Sequence, residues 1–214
     1  MANVVYMSEL EGIKYLKQKD KRLAKVIEMV GDYSYVPYED GYSFVVNQII
    51  GQMLSAKVAK KITERLNILC DNDITPNKVL KLSDEEMRET GMSMQKVRYI
   101  KSLSKTILEG NFNFAELKQL TDEDIIRKLT ELNGVGVWTA KMYLIFVLDR
   151  YNVLPYEDMA FLQSYSWLYK TKDFKKSSIA KKCKKWEPYS SLAARYLYKA
   201  LDGGYTKKEF HLFK

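Results

Sequence analysis

The chain is poor in the residues that carry most metal and nucleophilic chemistry. In 214 residues it has two cysteines, Cys70 and Cys183, and one histidine, His211. Two thiols cannot by themselves hold an iron–sulfur cluster or a four-cysteine zinc site. They read as free cysteines of a reducing cytoplasm. A lone histidine near the C-terminus gives no basis for a His-centred triad or a His-rich metal centre. Glycine, at 10, and proline, at 4, are too scarce for a collagenous or low-complexity chain. Long apolar runs are missing too. The one over Met142–Leu148 falls far short of the ~20 residues that cross a bilayer, so no membrane segment is expected. The stretch from Met1 to Glu9 has neither the basic residues nor the apolar core of a signal peptide, and none is expected.

Hydrophobic residues make up 46% of the chain and charged residues 29%, which excludes disorder as its main description. Basic residues outnumber acidic ones by 35 to 27, giving a net charge of +8. A basic globular protein of this size is compatible with a polyanionic partner, nucleic acid first. The 16 Tyr, 8 Phe and 3 Trp could stack on bases or fill a core.

Period-2 alternation is almost absent, and the apolar residues recur at helical spacing. The strongest run is Phe44 to Leu69, with Val45, Val46, Ile49, Ile50, Met53, Leu54, Val58, Ile62, Leu66 and Leu69 on one side and Lys57, Lys60, Lys61, Glu64 and Arg65 on others. A break is expected near Gly51 and Gln52, because glycine weakens a helix interior. Thr75-Pro76 reads as a helix start, Ser83-Asp84-Glu85-Glu86 as a capping box and Gly91 as a helix stop. A helix is predicted over Gln95 to Leu108, and Thr121-Asp122-Glu123-Asp124 opens another. Leu82–Glu86 and Leu120–Asp124 each lead through a helix and a short turn into a second helix, a faint internal echo. No linker or shift in composition divides the chain. The prediction is an all-α protein forming a single domain.

The segment Leu132-Asn133-Gly134-Val135-Gly136-Val137-Trp138-Thr139-Ala140-Lys141 lies between two predicted helices. Two glycines one residue apart permit a tight turn and close backbone approach. The turn opens onto a helix N-terminus, where free N–H groups and the helix dipole suit a phosphate. Lys141 could add a point charge. The same pattern also serves a plain structural turn.

The wider string resembles the helix–hairpin–helix of base-excision DNA glycosylases related to endonuclease III, the HhH-GPD superfamily. Three further segments follow in the family's order. Ile49-Ile50-Gly51-Gln52-Met53-Leu54-Ser55 is similar to the Ile-Leu-Gly-Gln-x-x-Ser segment of the 3-methyladenine DNA glycosylase II branch. Leu154-Pro155-Tyr156-Glu157-Asp158 falls where the family places its acidic residue. Trp186-Glu187-Pro188-Tyr189-Ser190-Ser191-Leu192-Ala193 resembles that branch's Trp-x-Pro-Trp-Arg-Ser-x-Ala. The resemblance covers residues 20 to 202. It implies two helical lobes with the active-site cleft between them: one of about residues 41–136 including the hairpin, the other from 1–40 together with 137–214.

The resemblance also implies roles. Asp158 would be the catalytic carboxylate, steadying positive charge at the sugar while water attacks. The residue type suits a helix N-cap before Met159 to Leu168 equally well, and both roles can coexist. Glu157 would be exposed or would act through its neighbour. Trp138, Tyr198 and Met142 would line a pocket for an electron-poor base. Met53 would be the apolar wedge that fills the gap left by an extruded base, with Gln52 beside the widowed partner. Gly134, Val135, Gly136, Thr139 and Lys141 would meet the DNA backbone. The carbonyls of Thr130, Leu132 and Val135 would hold a monovalent cation, Na+ or K+. Bifunctional members carry a nucleophilic lysine where this chain has Trp138, so a Schiff-base lyase step is not expected. The iron–sulfur members' cysteines are absent. Two departures stand out: Asn133 replaces the family's usual proline, and Ser190 an arginine. The Lys-rich stretch from Lys170 to Lys185 reads as a solvated face.

The function implied is a monofunctional glycosylase that excises alkylated bases, of the 3-methyladenine or 7-methylguanine type, from damaged double-stranded DNA. It would act as a monomer without a redox cofactor or catalytic metal, in the cytoplasm and on the nucleoid. Two alternatives stay open: a glycosylase for another damaged base, or a DNA-binding protein that has lost catalysis.

Overall fold

The computed structural model describes residues 4–212. In chain order these form β1 (Val5–Tyr6), α1 (Glu11–Lys19), α2 (Lys21–Val30), β2 (Ser34–Tyr35), α3 (Gly41–Gly51), α4 (Ala56–Leu69), α5 (Pro76–Lys81), α6 (Asp84–Glu89) and α7 (Met94–Leu108). After these come α8 (Asp122–Thr130), α9 (Val137–Phe146), α10 (Met159–Tyr169), α11 (Lys176–Cys183) and α12 (Ser190–Asp202), with short 3-10 turns between. The fold is all-α. The exception is a ribbon of two antiparallel two-residue strands, with Val5 opposite Tyr35 and Tyr6 opposite Ser34. Strands this short leave no alternation to read.

Most of the helices start where short polar side chains accept orphan backbone N–H groups. Asp20, Asp40, Ser55, Thr75, Ser93 and Thr121 all cap in this way, and Ser83 with Glu86 makes the full reciprocal capping box. The long apolar run of 44–69 does break at Gly51. Gln52 leaves helical geometry and Met53 turns left-handed at φ 59° before Ser55 restarts the chain as α4. The two faint echoes become α6–turn–α7 and α8–turn–α9, each turn holding a glycine at positive φ, Gly91 and Gly134.

The chain divides into two compact units. One comprises the chain up to Pro37 and again from Leu144 onward; the other is Tyr38–Tyr143. Tyr38 packs edge-on against Phe44 (5.1 Å between ring centroids), and Tyr143 packs against Phe44 and Phe114 (6.0 and 5.6 Å). Through Tyr143 the first part of α9 is tied to α3 and to the turn that begins at Phe114. In the Tyr38–Tyr143 unit, α7 packs on α3, α5 and α6, and α3 packs on α4. In the other unit α12 is the central helix, with α10, α1 and α2 against it. Its core includes Leu23, Phe161, Tyr165, Trp186 and Leu197.

The Lys-rich stretch is more than a solvated face. Ile179 and Cys183 of α11 are buried in the core. Lys182 and Lys185 lie over the Tyr169 ring, at 5.0 and 5.2 Å, and Lys185 pairs with Asp20 at 3.1 Å.

Candidate active site

Asp158 ends an irregular segment that begins after α9. Three bonds from the start of α12 pin that segment. Ser191 N–H donates to the Tyr151 carbonyl (2.9 Å), Val153 N–H donates to Ser191 Oγ (2.9 Å), and Ser190 Oγ donates to Asn152 Oδ1 (2.8 Å). Pro155 then starts a tight turn closed by Asp158 N–H on the Pro155 carbonyl (3.1 Å). The turn delivers Asp158 to the N-cap of α10, where Oδ1 accepts the Phe161 N–H at 2.7 Å. The side chain is 8% exposed and its orientation is fixed by this bond. Glu157, one residue earlier, is exposed.

Tyr198 sits on α12 in the same unit. Its hydroxyl is buried beside the Asp158 carboxylate. Burial pushes its pKa far above the ordinary phenol value, and the neighbouring Asp158 carboxylate pushes it further. Phe146 packs at a tilt against the Tyr198 ring, 6.1 Å away. Arg195, one turn back on α12, donates to the Ile145 carbonyl and, at 3.0 Å, to Asp149 Oδ1. Its guanidinium lies over the rings of Tyr35 (3.9 Å) and Phe146 (4.8 Å). A carboxylate and aromatic surface are therefore held rigidly within one unit.

The hairpin lies in the other unit. Gly134 has φ +81°, and Val135 N–H donates to the Leu132 carbonyl at 3.1 Å. Asn133, in place of proline, is tethered by its side-chain amide to Ser102 Oγ at 3.0 Å. Gly136 and Val137 are exposed where α9 begins. The Gln52 side chain donates to the Gly134 carbonyl at 2.8 Å, which ties the Met53 turn to the hairpin. Met53 itself is fully exposed. A large apolar side chain in that position, on a residue strained to positive φ, is not there for packing.

Two residues expected at the DNA backbone are placed otherwise. Thr139 and Lys141 are 1% and 7% exposed, on parts of α9 that face the interior. What the hairpin presents outward is Asn133, Gly136 and Val137. Trp138 is half-buried, and Met142, one turn later on the same face, is buried.

Tyr99 went unnoticed in the sequence, and it explains Gly134. A Cβ at position 134 would lie 2.3 to 3.0 Å from Tyr99 side-chain atoms, inside van der Waals contact, and φ there is positive as well. Gly134→Ala is therefore expected to lower stability by about 1–3 kcal/mol and to weaken DNA binding. Thermal melting and fluorescence-anisotropy titration read the two effects, and an unchanged melt would show that the turn accommodates a side chain.

The family model for the HhH-GPD superfamily base excision DNA repair proteins matches residues 46–188. The DNA-3-methyladenine glycosylase 1 of Schizosaccharomyces pombe is 28% identical over 201 residues, covering 90% of this chain and 88% of that one. Among solved structures, the DNA-3-methyladenine glycosidase of Bacillus halodurans superposes with a TM-score of 0.83 at 30% identity, covering 98% of this chain and 97% of that chain. The Schizosaccharomyces pombe 3-methyladenine DNA glycosylase in complex with abasic DNA superposes with a TM-score of 0.82 at 25% identity, covering 96% of this chain and all of that one. The match takes in the wedge turn, the hairpin and Asp158 alike, and the chain belongs to the HhH-GPD superfamily of base excision DNA repair proteins.

Proposed function

We propose that this protein is a monofunctional DNA glycosylase that removes alkylated purines from duplex DNA. The observation that carries the reading is Asp158. It is a buried carboxylate, aimed by its bond to the Phe161 N–H, in a chain whose relatives by sequence and by structure include 3-methyladenine glycosylases.

The chemistry follows from the leaving group. A purine alkylated at a ring nitrogen is cationic, so it departs as a neutral base when it takes the electron pair of the C1′–N bond. No strong general acid is needed. Positive charge then develops at the sugar, where a fixed carboxylate stabilises it. Water adds its hydroxyl to C1′ and releases a proton to the carboxylate or to solvent. An abasic sugar and a free base result. Trp138 occupies the position of the lyase lysine, and an indole forms no Schiff base. Trp138 and Met142 on α9, and Tyr198 on α12, would each offer soft, electron-rich surface of the kind that favours an electron-poor ring.

DNA would be held at the turn of Gly134, Val135 and Gly136 through the backbone N–H groups of the two glycines, the Val135 N–H being given to the Leu132 carbonyl, with Met53 as wedge and Gln52 braced beside it. The carbonyls of Thr130, Leu132 and Val135 are an all-oxygen set that suits Na+ or K+. The Leu132 carbonyl already accepts from Val135 N–H, and its second lone pair could face a cation. The protein is read as acting alone on its DNA, as a monomer.

The deciding assay incubates the purified protein with methylated duplex DNA and separates released bases by liquid chromatography. Release of 3-methyladenine or 7-methylguanine is expected. DNA binding with no base released, from methylated DNA or from duplexes carrying oxidised or deaminated bases, would make this a binding module.

A further inference from the structure

Helix α3 ends at the Met53 turn, and its last carbonyls need partners. Gln52 N–H reaches the Ile49 carbonyl at 3.4 Å and Leu54 N–H the Gly51 carbonyl at 3.1 Å. The Ile50 and Gln52 carbonyls are taken by one group from elsewhere in the chain. Lys96 Nζ donates to them at 2.7 and 2.8 Å. An ammonium at the C-terminal end of a helix also meets the negative end of its dipole. Lys96 is in the first turn of α7. Tyr99, one turn on, backs Gly134, and Ser102, another turn on, holds Asn133. One face of α7 therefore braces the wedge turn and the hairpin together, and Gln52 links them directly through the Gly134 carbonyl.

We propose that Lys96 is a positioning residue for base extrusion, holding Met53 at a set place relative to the hairpin so that wedge and phosphate grip engage the duplex as one rigid part. This rests on the glycosylase reading for its substrate but not for its measurement. Met53 stands at positive φ with its side chain in solvent, so no packing of its own keeps it there. The turn persists because its carbonyls are satisfied from outside. Burial draws the Lys96 pKa down, which is the cost of bringing the ammonium under the turn, and the two carbonyl bonds offset it.

The test compares wild type with Lys96→Met, which keeps the stem and loses the donors, and Lys96→Arg, which restores them. Two readouts are taken: fluorescence of 2-aminopurine placed beside the target base, which reports unstacking without chemistry, and single-turnover excision of 7-methylguanine. The excision substrate has the lesion either paired with cytosine or opposite an abasic site, where extrusion is easy. Lys96→Met should blunt the fluorescence rise and slow excision from the paired duplex by about tenfold. Excision opposite the abasic site should fall by no more than about twofold, and Lys96→Arg should recover most of the paired rate. Equal losses on both substrates, or none on either, would overturn the proposal. If Lys96→Met does not fold, Lys96→Gln, whose shorter, uncharged amide cannot repeat both bonds, replaces it: a smaller loss confined to the paired duplex is expected, and equal losses on both substrates or none on either would overturn the proposal. A wild type that unstacks 2-aminopurine in a Lys96-dependent way but excises nothing would leave the positioning role standing and remove the glycosylase reading. A wild type that leaves 2-aminopurine stacked would remove the positioning role.

Discussion

Asp158→Asn is expected to slow methylpurine release by at least about 10²–10³-fold while leaving DNA affinity within about twofold. The substitution separates two roles that the geometry superimposes. As an N-cap, Asp158 accepts the Phe161 N–H at 2.7 Å, and asparagine caps about as well as aspartate. The turn from Pro155 and the start of α10 should therefore survive. As a catalytic group Asp158 works through its negative charge, which asparagine lacks. Loss of turnover with an intact fold and intact binding would establish the charge as the working part. Retained turnover would leave Asp158 as a cap only.

Helix starts were legible in the sequence because they are local. The Ser83 capping box, Thr75-Pro76 and the break at Gly51 each depend on residues a few positions apart, and each appears in the structure as the spacing implies. The hairpin was legible for the same reason. What the sequence hid is long-range. Lys96 looks like any basic residue on an amphipathic helix, and its partners are carbonyls 44 and 46 residues earlier, which no side-chain pattern announces. Ser190 and Ser191 stood inside a recognised motif, yet their bonds to Asn152 and Val153, 38 residues earlier, depend on how that loop returns to α12. Thr139 and Lys141 misled in the opposite direction. A polar residue after a glycine turn reads as surface, but most of α9 is apolar and buried around them, so the polar positions are carried inward with it. The two-residue ribbon of β1 and β2 is too short for periodicity to register.

Asp20 should prove the most costly single side chain to remove. Read along the sequence it is one more acidic residue in a basic segment. In the structure it is 2% exposed and accepts from five directions. It caps α2 through Arg22 N–H (3.0 Å) and Leu23 N–H (3.3 Å), receives Trp186 Nε1–H at 2.9 Å and the Tyr169 hydroxyl, and pairs with Lys185 at 3.1 Å. Trp186 and Tyr169 arrive from chain positions 166 and 149 residues away, so this one carboxylate joins α2 to α10 and to the segment before α12. Asp20→Ala leaves the indole N–H and the phenol without an acceptor and uncaps α2. The expected loss is about 3–5 kcal/mol, a drop in melting temperature of roughly 6–20 °C. Asp20→Asn should fall between, since its amide keeps one acceptor but turns a donor toward other donors. The pH dependence has a definite sign. Burial works to raise the Asp20 pKa, but the bonds from Tyr169, Trp186 and Lys185 outweigh it and hold the carboxyl below its usual 3.8. A depressed carboxylate stabilises the fold at pH values above the unfolded pKa, and that contribution is lost as pH falls through the folded one. The wild type should therefore lose stability below about pH 4, and Asp20→Ala should lose less there because it has already forfeited that contribution. Urea unfolding of both proteins at pH 7 and pH 3 checks both statements. A gap between them that is as wide at pH 3 as at pH 7 would mean the carboxylate's charge contributes nothing and the loss comes from the hydrogen bonds and packing that a neutral carboxyl also provides.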